Sequence, residues 1–123
     1  MRVLPLLLCL AAVASATTYW VAKTGDDDSL GTEAKPWLTI NYAGTEVVAG
    51  DSVLVKTGTY AELVDLGTAD GTAAAPIVVT AYDGWSVIVS GSVSVSKKHY
   101  VFEDFTISYV AGSGGYGFCG VQG

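Results

Sequence analysis

Short apolar runs rich in β-branched residues follow one another along most of the chain. From Asp51 onward each run is brief, and turn residues such as Gly58, Gly67, Gly71 and Asp104 separate them. Runs of this length and composition are typical of β-strands. The pattern predicts strands, with no helix between them, at Val53–Val55, Leu63–Leu66, Ile77–Ala81, Val87–Val89, Val93–Val95, Val101–Phe102 and Phe105–Ile107.

A strand-and-turn unit returns at nearly constant spacing. The step from Val53 to Ile77 is one position longer than the step from Ile77 to Tyr100. Periods of about 20 to 50 residues built on short strands are typical of solenoids. The shorter second step keeps Glu103 outside the apolar stack, whereas a repeat of the longer step would place its carboxylate inside. The predicted inward stack along one parallel sheet is Val53, Val55, Ile77, Val79, Tyr100 and Phe102.

These spacings bear on the fold class. Several short strands per repeat, without intervening helices, favour an all-β parallel β-helix over a doubly wound sheet. An antiparallel sandwich is the alternative, because short, regularly spaced strands also describe that class. The repeated spacing favours the parallel β-helix.

The segment before Asp51 has a different pattern. Thr18–Lys23 alternates as a first strand, and the loop 24–36 carries the acidic run 26–28. The segment 37–48 is the one candidate helix, with Thr39 as candidate N-cap and an apolar side that includes Trp37. Gly44 within it costs about 1 kcal/mol relative to alanine, so we expect one or two turns of capping helix.

The segment 1–16 is typical of a secretory signal peptide. Arg2 precedes an apolar run, and Ala14-Ser15-Ala16 provides small residues for cleavage. The predicted organisation is a signal peptide at 1–16, an N-terminal strand, loop and cap at 17–50, and the first, incomplete β-helix coils at 51–123. The predicted location is extracellular.

The mature chain is acidic. Five lysines and twelve carboxylates give it a net charge of −7, which repels phosphate backbones and anionic lipids. We therefore expect neither nucleic acid nor a membrane surface as a partner after signal cleavage. Cys119 is the one cysteine left after cleavage, so no intramolecular disulfide forms.

Four segments resemble the N-terminal portion of secreted right-handed parallel β-helix proteins of the pectate-lyase-like superfamily, especially the group with family 9 pectate lyases. The segments are YWVAKTG at 19–25, GTEAKPWLTINYA at 31–43, AGDSVLVKTGTYAE at 49–62 and GTAAAPIVVTAY at 71–82. The resemblance implies a right-handed parallel β-helix, with an N-terminal cap followed by the first coils.

The same resemblance implies a function. Lyases of this superfamily bind an acidic polysaccharide along one parallel sheet, bridge its carboxylates with calcium, and remove a proton with a lysine or arginine. Those groups lie on later coils and no residue here matches them, so we assign no catalytic residue, metal ligand or cofactor to this segment. The function predicted is an N-terminal segment of a protein acting on or binding extracellular polysaccharide. A non-catalytic structural or adhesive segment is the alternative.

The candidate substrate contacts are Trp85, Lys97 and Lys98. Trp85 beside Gly84 offers an aromatic surface for a sugar, and the two lysines form the basic cluster with His99, although polar residues are also expected in a turn there. The tryptophans and tyrosines would stack on sugar rings if aligned outward, whereas the simpler interpretation places Trp20 and Trp37 in the cap and Trp85 over a coil edge.

Several acids have simple structural interpretations. The acidic run 26–28 lacks the spaced ligands of a calcium loop and is interpreted as a solvated loop. Glu103 is expected on the surface and Asp104 at a corner.

Two properties follow from this interpretation. We expect no cleavage of pectate or alginate by the isolated mature chain, with or without calcium. We also expect marginal stability and self-association through the uncapped end, because exposed strand edges template pairing between chains.

Overall fold

The computed structural model describes residues 16–82 and 86–108. This part of the chain is mostly β-structure, with a single helix. Its elements are β1 (Thr18–Val21), α1 (Ile40–Glu46), β2 (Ser52–Val55), β3 (Gly58–Tyr60), β4 (Val64–Asp65), β5 (Ile77–Ala81), β6 (Val87–Val89), β7 (Val93–Ser94), β8 (Tyr100–Glu103) and β9 (Thr106–Ile107). The predicted strands are present, and β3 is an additional strand that the sequence pattern did not indicate.

The strands form three sheets that the chain visits in turn. The first sheet has the order β1-β2-β5-β8, the second β3-β6-β9 and the third β4-β7. Every pair of neighbouring strands is parallel. This arrangement rules out the antiparallel sandwich, because parallel neighbours need a long crossover and these strands return only after passing through the other sheets.

The register confirms one predicted step and corrects the other. Ile77 lies beside Tyr100 and Val79 beside Phe102, as the shorter second step requires. Val53, however, pairs with Val79 and not with Ile77. The first step therefore runs from position 53 to position 79, and the predicted step from 53 to 77 is wrong. A shift of two positions leaves the same side chains facing inward, so the hydrophobic pattern could not reveal it.

The interior is formed by alternate residues of the strands. Val53, Val55, Ile77 and Val79 are fully buried, as predicted, and pack with buried residues of the other sheets. Tyr100 and Phe102 are half-buried and pack against the edge of this core. The Phe102 ring stacks on Phe105, with ring centroids 4.1 Å apart.

The helix α1 is two turns long, as expected, and begins after Thr39. The hydroxyl of Thr39 accepts a hydrogen bond from the Tyr42 amide at 3.0 Å, which confirms the predicted N-cap. Gly44 faces β4, where an added Cβ would lie 2.8 Å from Leu66 Cδ2 and 3.1 Å from the carbonyl oxygen of Asp65. The glycine therefore permits a close approach of the helix to the strand.

The free edge of β1 is covered by the loop that precedes α1. The Trp20 amide donates to Gly31 O at 2.8 Å, and the Ala22 amide donates to Trp37 O at 2.9 Å. Trp37 is buried, its ring stacks on Tyr19, and its indole N–H donates to Ser29 O at 3.0 Å. The expectation that Trp37 packs in the cap is confirmed.

Across the part of the chain that the structure describes, no helix has the length and apolar character needed to cross a membrane.

Candidate functional site

The outward face of the first sheet carries a row of side chains of mixed chemistry. The strand register places Trp20, Leu54, Thr80 and Glu103 side by side across the four strands. Because side chains alternate along a strand, burial of Val21 directs Trp20 away from the core. The expectation that Trp20 packs in the cap is therefore wrong, since this residue is half-buried on the outer surface.

Trp20 is the centre of a cluster that we call the aromatic corner, formed by Trp20, Lys56 and Tyr82. The Tyr82 ring meets the Trp20 ring edge-on, with centroids 4.9 Å apart and an interplanar angle of 64°. The Lys56 ammonium lies 5.1 Å from the centroid of the Trp20 ring, a distance at which cation–π attraction operates. Tyr82 remains 54% exposed and offers aromatic surface to a ligand.

The sheet itself positions this corner. The Lys56 amide donates to Val21 O at 2.9 Å and the Tyr82 amide donates to Val55 O at 2.7 Å, so both residues continue the ladder where their strands end. The Tyr60 hydroxyl donates to Lys56 O at 2.8 Å. Burial raises the pKa of Tyr60 to about 12, so this hydroxyl remains a donor even well above neutral pH. The backbone of Lys56 is therefore held from two sides.

Two polar features surround the aromatic corner. The Lys56 ammonium lies 3.9 Å from Glu33 Oε1, and the two side chains are 36% and 63% exposed. An exposed ion pair at this distance is weak. The hydroxyl oxygens of Thr57 and Ser86 lie 2.8 Å apart on the adjacent connections between strands. A ring surface, an accessible ammonium and nearby hydroxyls together suit a saccharide, and the ammonium suits one that carries a carboxylate.

Asp27 has a structural role that the sequence did not predict. Its carboxylate accepts hydrogen bonds from the Leu38 amide at 2.8 Å, the Thr39 amide at 2.9 Å and the Thr39 hydroxyl at 2.8 Å. The interpretation of the acidic run as merely solvated is wrong at this residue. The partners lie 11 and 12 positions further along the chain, so no local motif indicated them.

Glu62 holds the next two backbone amides of the helix. Its oxygens accept from the Asn41 amide at 2.7 Å and the Ile40 amide at 3.2 Å. Burial raises the pKa of Glu62, and the two amides together with the charge of Lys23 oppose that shift only in part. The start of α1 is thus held by two carboxylates: Asp27, which precedes the helix in the sequence, and Glu62, which follows it.

Asp51 is the buried carboxylate among the described residues. It accepts from the Thr17 amide at 3.1 Å and the Val48 amide at 2.9 Å, and ties the start of β1 to the end of the cap.

These carboxylates hold the backbone of the cap. Asp27, Asp51 and Glu62 each accept hydrogen bonds from backbone amides. Within residues 16–82 and 86–108, no three acidic, histidine or cysteine side chains come together as metal ligands. The expectation that this segment binds no calcium stays a prediction.

The predicted lysines lie away from the aromatic corner. Lys97 and Lys98 are exposed in the turn before β8, whereas the corner follows the other ends of the parallel strands. The Lys98 amide donates to Asp70 Oδ1 at 2.9 Å, and its carbonyl accepts from Gly71. His99 has a positive φ of 58°, as a tight turn requires. The proposed sugar contact by these lysines stays a prediction.

The remaining predicted residues divide into two groups. Asp104, with φ of 65°, forms the expected corner, and Glu103 lies half-buried on the outward face beside Thr80. Trp85 and Cys119 fall outside the described residues, as does almost all of the predicted signal peptide.

Two curated proteins resemble this chain. It is 40% identical over 81 residues to pectate lyase PEL9 of Emericella nidulans, a match that covers 65% of this chain and 20% of that protein. It is 35% identical over 86 residues to the uncharacterized protein YwoF of Bacillus subtilis, a match that covers 70% of this chain and 18% of that protein. The chain thus spans about a fifth of the length of these relatives. No family model matches it.

Two solved structures resemble the chain as well. XylC in complex with xylose is 39% identical, with a TM-score of 0.57 over 60% of this chain and 12% of its own. A rhamnogalacturonan lyase is 21% identical, with a TM-score of 0.60 over 75% of this chain and 28% of its own, a likeness that concerns the fold alone. Together the matches confirm the resemblance to the pectate-lyase-like superfamily of parallel β-helix proteins.

Proposed function

We propose that this chain is the cap and first coils of a right-handed parallel β-helix in a secreted protein that binds or acts on extracellular polysaccharide. Three parallel sheets visited in turn, with one edge covered by a capping segment, support the architecture. The similarity to a pectate lyase supports the substrate class. Secretion rests on the signal-like pattern of the segment 1–16.

The aromatic corner is the observation that carries this proposal. Trp20 holds both Tyr82 and Lys56, so an exposed ring and an ammonium are presented together at one end of the first sheet. A sugar ring packs its C–H face on an aromatic ring, and the ammonium donates hydrogen bonds to its oxygens. The role of this segment is binding, and bond cleavage belongs to groups outside the described residues.

Calorimetric titration with sugar oligomers tests the proposal. The probes are short oligomers of galacturonic acid and of xylose. We expect Tyr82→Ala to weaken binding about tenfold, equivalent to about 1.4 kcal/mol, because the exposed ring surface is lost. Leu63→Ala is the matched control, since Leu63 is 73% exposed and lies beside β4 in the third sheet. Equal affinity of wild type and Tyr82→Ala for both oligomers, or no binding by wild type, would contradict the proposal.

A non-catalytic structural or adhesive segment is the second candidate. The Thr57 and Ser86 hydroxyls, 2.8 Å apart on successive connections, favour it as one step of a hydroxyl ladder. In that case the chain binds no oligosaccharide. For either candidate we also propose self-association through the end formed by β8 and β9, which a concentration-independent monomer in sedimentation velocity would contradict.

A further inference from the structure

The Lys56 ammonium has two partners, an aromatic ring and a carboxylate. It lies 5.1 Å from the centroid of the Trp20 ring and 3.9 Å from Glu33 Oε1. Glu33 belongs to the loop that covers the edge of β1, whereas Lys56 follows β2. The aromatic corner therefore already has a carboxylate beside its ammonium, supplied by the chain itself.

We infer that Glu33 occupies the position on Lys56 that the carboxylate of an acidic sugar takes when it binds at the aromatic corner. The inference rests on the proposed saccharide function of that corner. In the free protein Glu33 neutralises Lys56. When an acidic saccharide packs on Tyr82, its carboxylate replaces Glu33, whose side chain turns to solvent.

The contacts on each side of Lys56 favour this exchange. The Glu33 side chain is 63% exposed, so it regains water when it leaves, and the exposed pair contributes little to stability. The contact between Lys56 and Trp20 does not involve Glu33. Together with the backbone hydrogen bonds of Lys56 it keeps the ammonium beside the Trp20 ring after Glu33 departs.

Glu33 also reduces the preference of the aromatic corner for acidic over neutral sugars. A neutral sugar leaves the pair with Glu33 intact and accepts hydrogen bonds from Lys56 without the attraction between opposite charges. An acidic sugar gains the ammonium but must displace one carboxylate. Glu33 thus lowers the affinity for acidic sugars without affecting neutral ones.

Three charge variants test the inference by titration calorimetry. The probes are an oligomer of galacturonic acid and the same oligomer with its carboxylates methyl-esterified, which removes charge and keeps the sugar stereochemistry. Glu33→Gln removes the competing carboxylate. Glu46→Gln makes the same change in net charge on the exposed face of α1, away from the corner. Lys56→Met keeps the aliphatic stem and removes the ammonium.

We expect Glu33→Gln to tighten binding of the acidic oligomer about two- to fivefold, the range of an exposed ion pair. Its affinity for the esterified oligomer stays unchanged, and Glu46→Gln changes neither affinity. Lys56→Met abolishes the preference for the acidic oligomer, and adding Glu33→Gln to it has no further effect. Unfolding midpoints in urea verify that each variant is folded.

Two results would overturn the inference, and they are distinguishable from each other. Equal gains for Glu33→Gln and Glu46→Gln would mean that net charge, not local exchange on Lys56, sets the affinity, with the saccharide function intact. Wild type that binds neither oligomer would remove the proposed function and this inference with it.

Discussion

Replacing Gly44 by alanine has two opposing effects on the free energy of unfolding, a gain in helix propensity and a steric clash. Alanine is favoured over glycine in a helix interior by about 1 kcal/mol. At this site, however, the new Cβ would lie 2.8 Å from Leu66 Cδ2 and 3.1 Å from Asp65 O. Leu66 is fully buried and the second atom belongs to backbone, so neither moves freely. Inserting a methyl group into a packed interior costs about 1 to 3 kcal/mol.

The clash therefore exceeds the gain in helix propensity. We expect Gly44→Ala to lower the free energy of unfolding by about 1 kcal/mol, measured by urea denaturation followed by far-ultraviolet circular dichroism. Thr45→Ala is the matched control. It introduces the same residue one position later, where the side chain is exposed, and should change stability by less than about 0.5 kcal/mol.

A second substitution identifies the cause. Leu66→Val removes the Cδ2 atom nearest the new methyl group, so it should cost less in the Gly44→Ala chain than in wild type. The coupling should be at least about 0.5 kcal/mol, as is usual for residues in contact. If Gly44→Ala is as stable as wild type, the helix is not held against β4 at this distance and the reasoning fails.

Two further predictions concern carboxylates. Asp51→Ala should lower the free energy of unfolding by about 2 to 4 kcal/mol in urea denaturation, because two amides lose their acceptor; Asp51→Asn, which keeps one carbonyl acceptor, should recover part of the loss, and a neutral Asp51→Ala would contradict the bonding described. The raised pKa of Glu62 means that the folded chain binds its proton more tightly than the unfolded chain. The destabilising contribution of the ionised group is therefore present above the folded pKa and is relieved as the pH falls through it. As the pH falls from about 7 to about 4, wild type should gain stability relative to Glu62→Gln. A difference in unfolding free energy that does not change with pH would contradict this sign.

The sequence predicted which residues face the core better than it predicted which residues are neighbours. The alternation around Val53 and Val79 fixes the inward face, but a step from Val53 to Ile77 and a step from Val53 to Val79 preserve it equally. Only the path that the connections follow decides between them, and the composition of the loops does not fix that path. The second step, from Ile77 to Tyr100, was predictable because its alternative would have buried Glu103.

The candidate site was predicted less well, for two physical reasons. The outward direction of Trp20 was available from its alternation with Val21, yet membership of the cap was the simpler interpretation. The capping roles of Asp27 and Glu62 depend on partners 11 to 22 positions away, so they arise only once the loop and the second sheet are placed. β3 was missed because it is short and begins with a glycine.

The covered edge of β1 allows the fold to form in order from the N-terminal end. The loop and Trp37 hydrogen-bond to β1, and each strand from β2 to β8 in the first sheet pairs with the strand one turn earlier in the chain. A chain emerging from the ribosome can therefore complete its covered end first and then add each strand to an edge that is already ordered. Each later strand of the first sheet therefore pairs with a strand that is already synthesised.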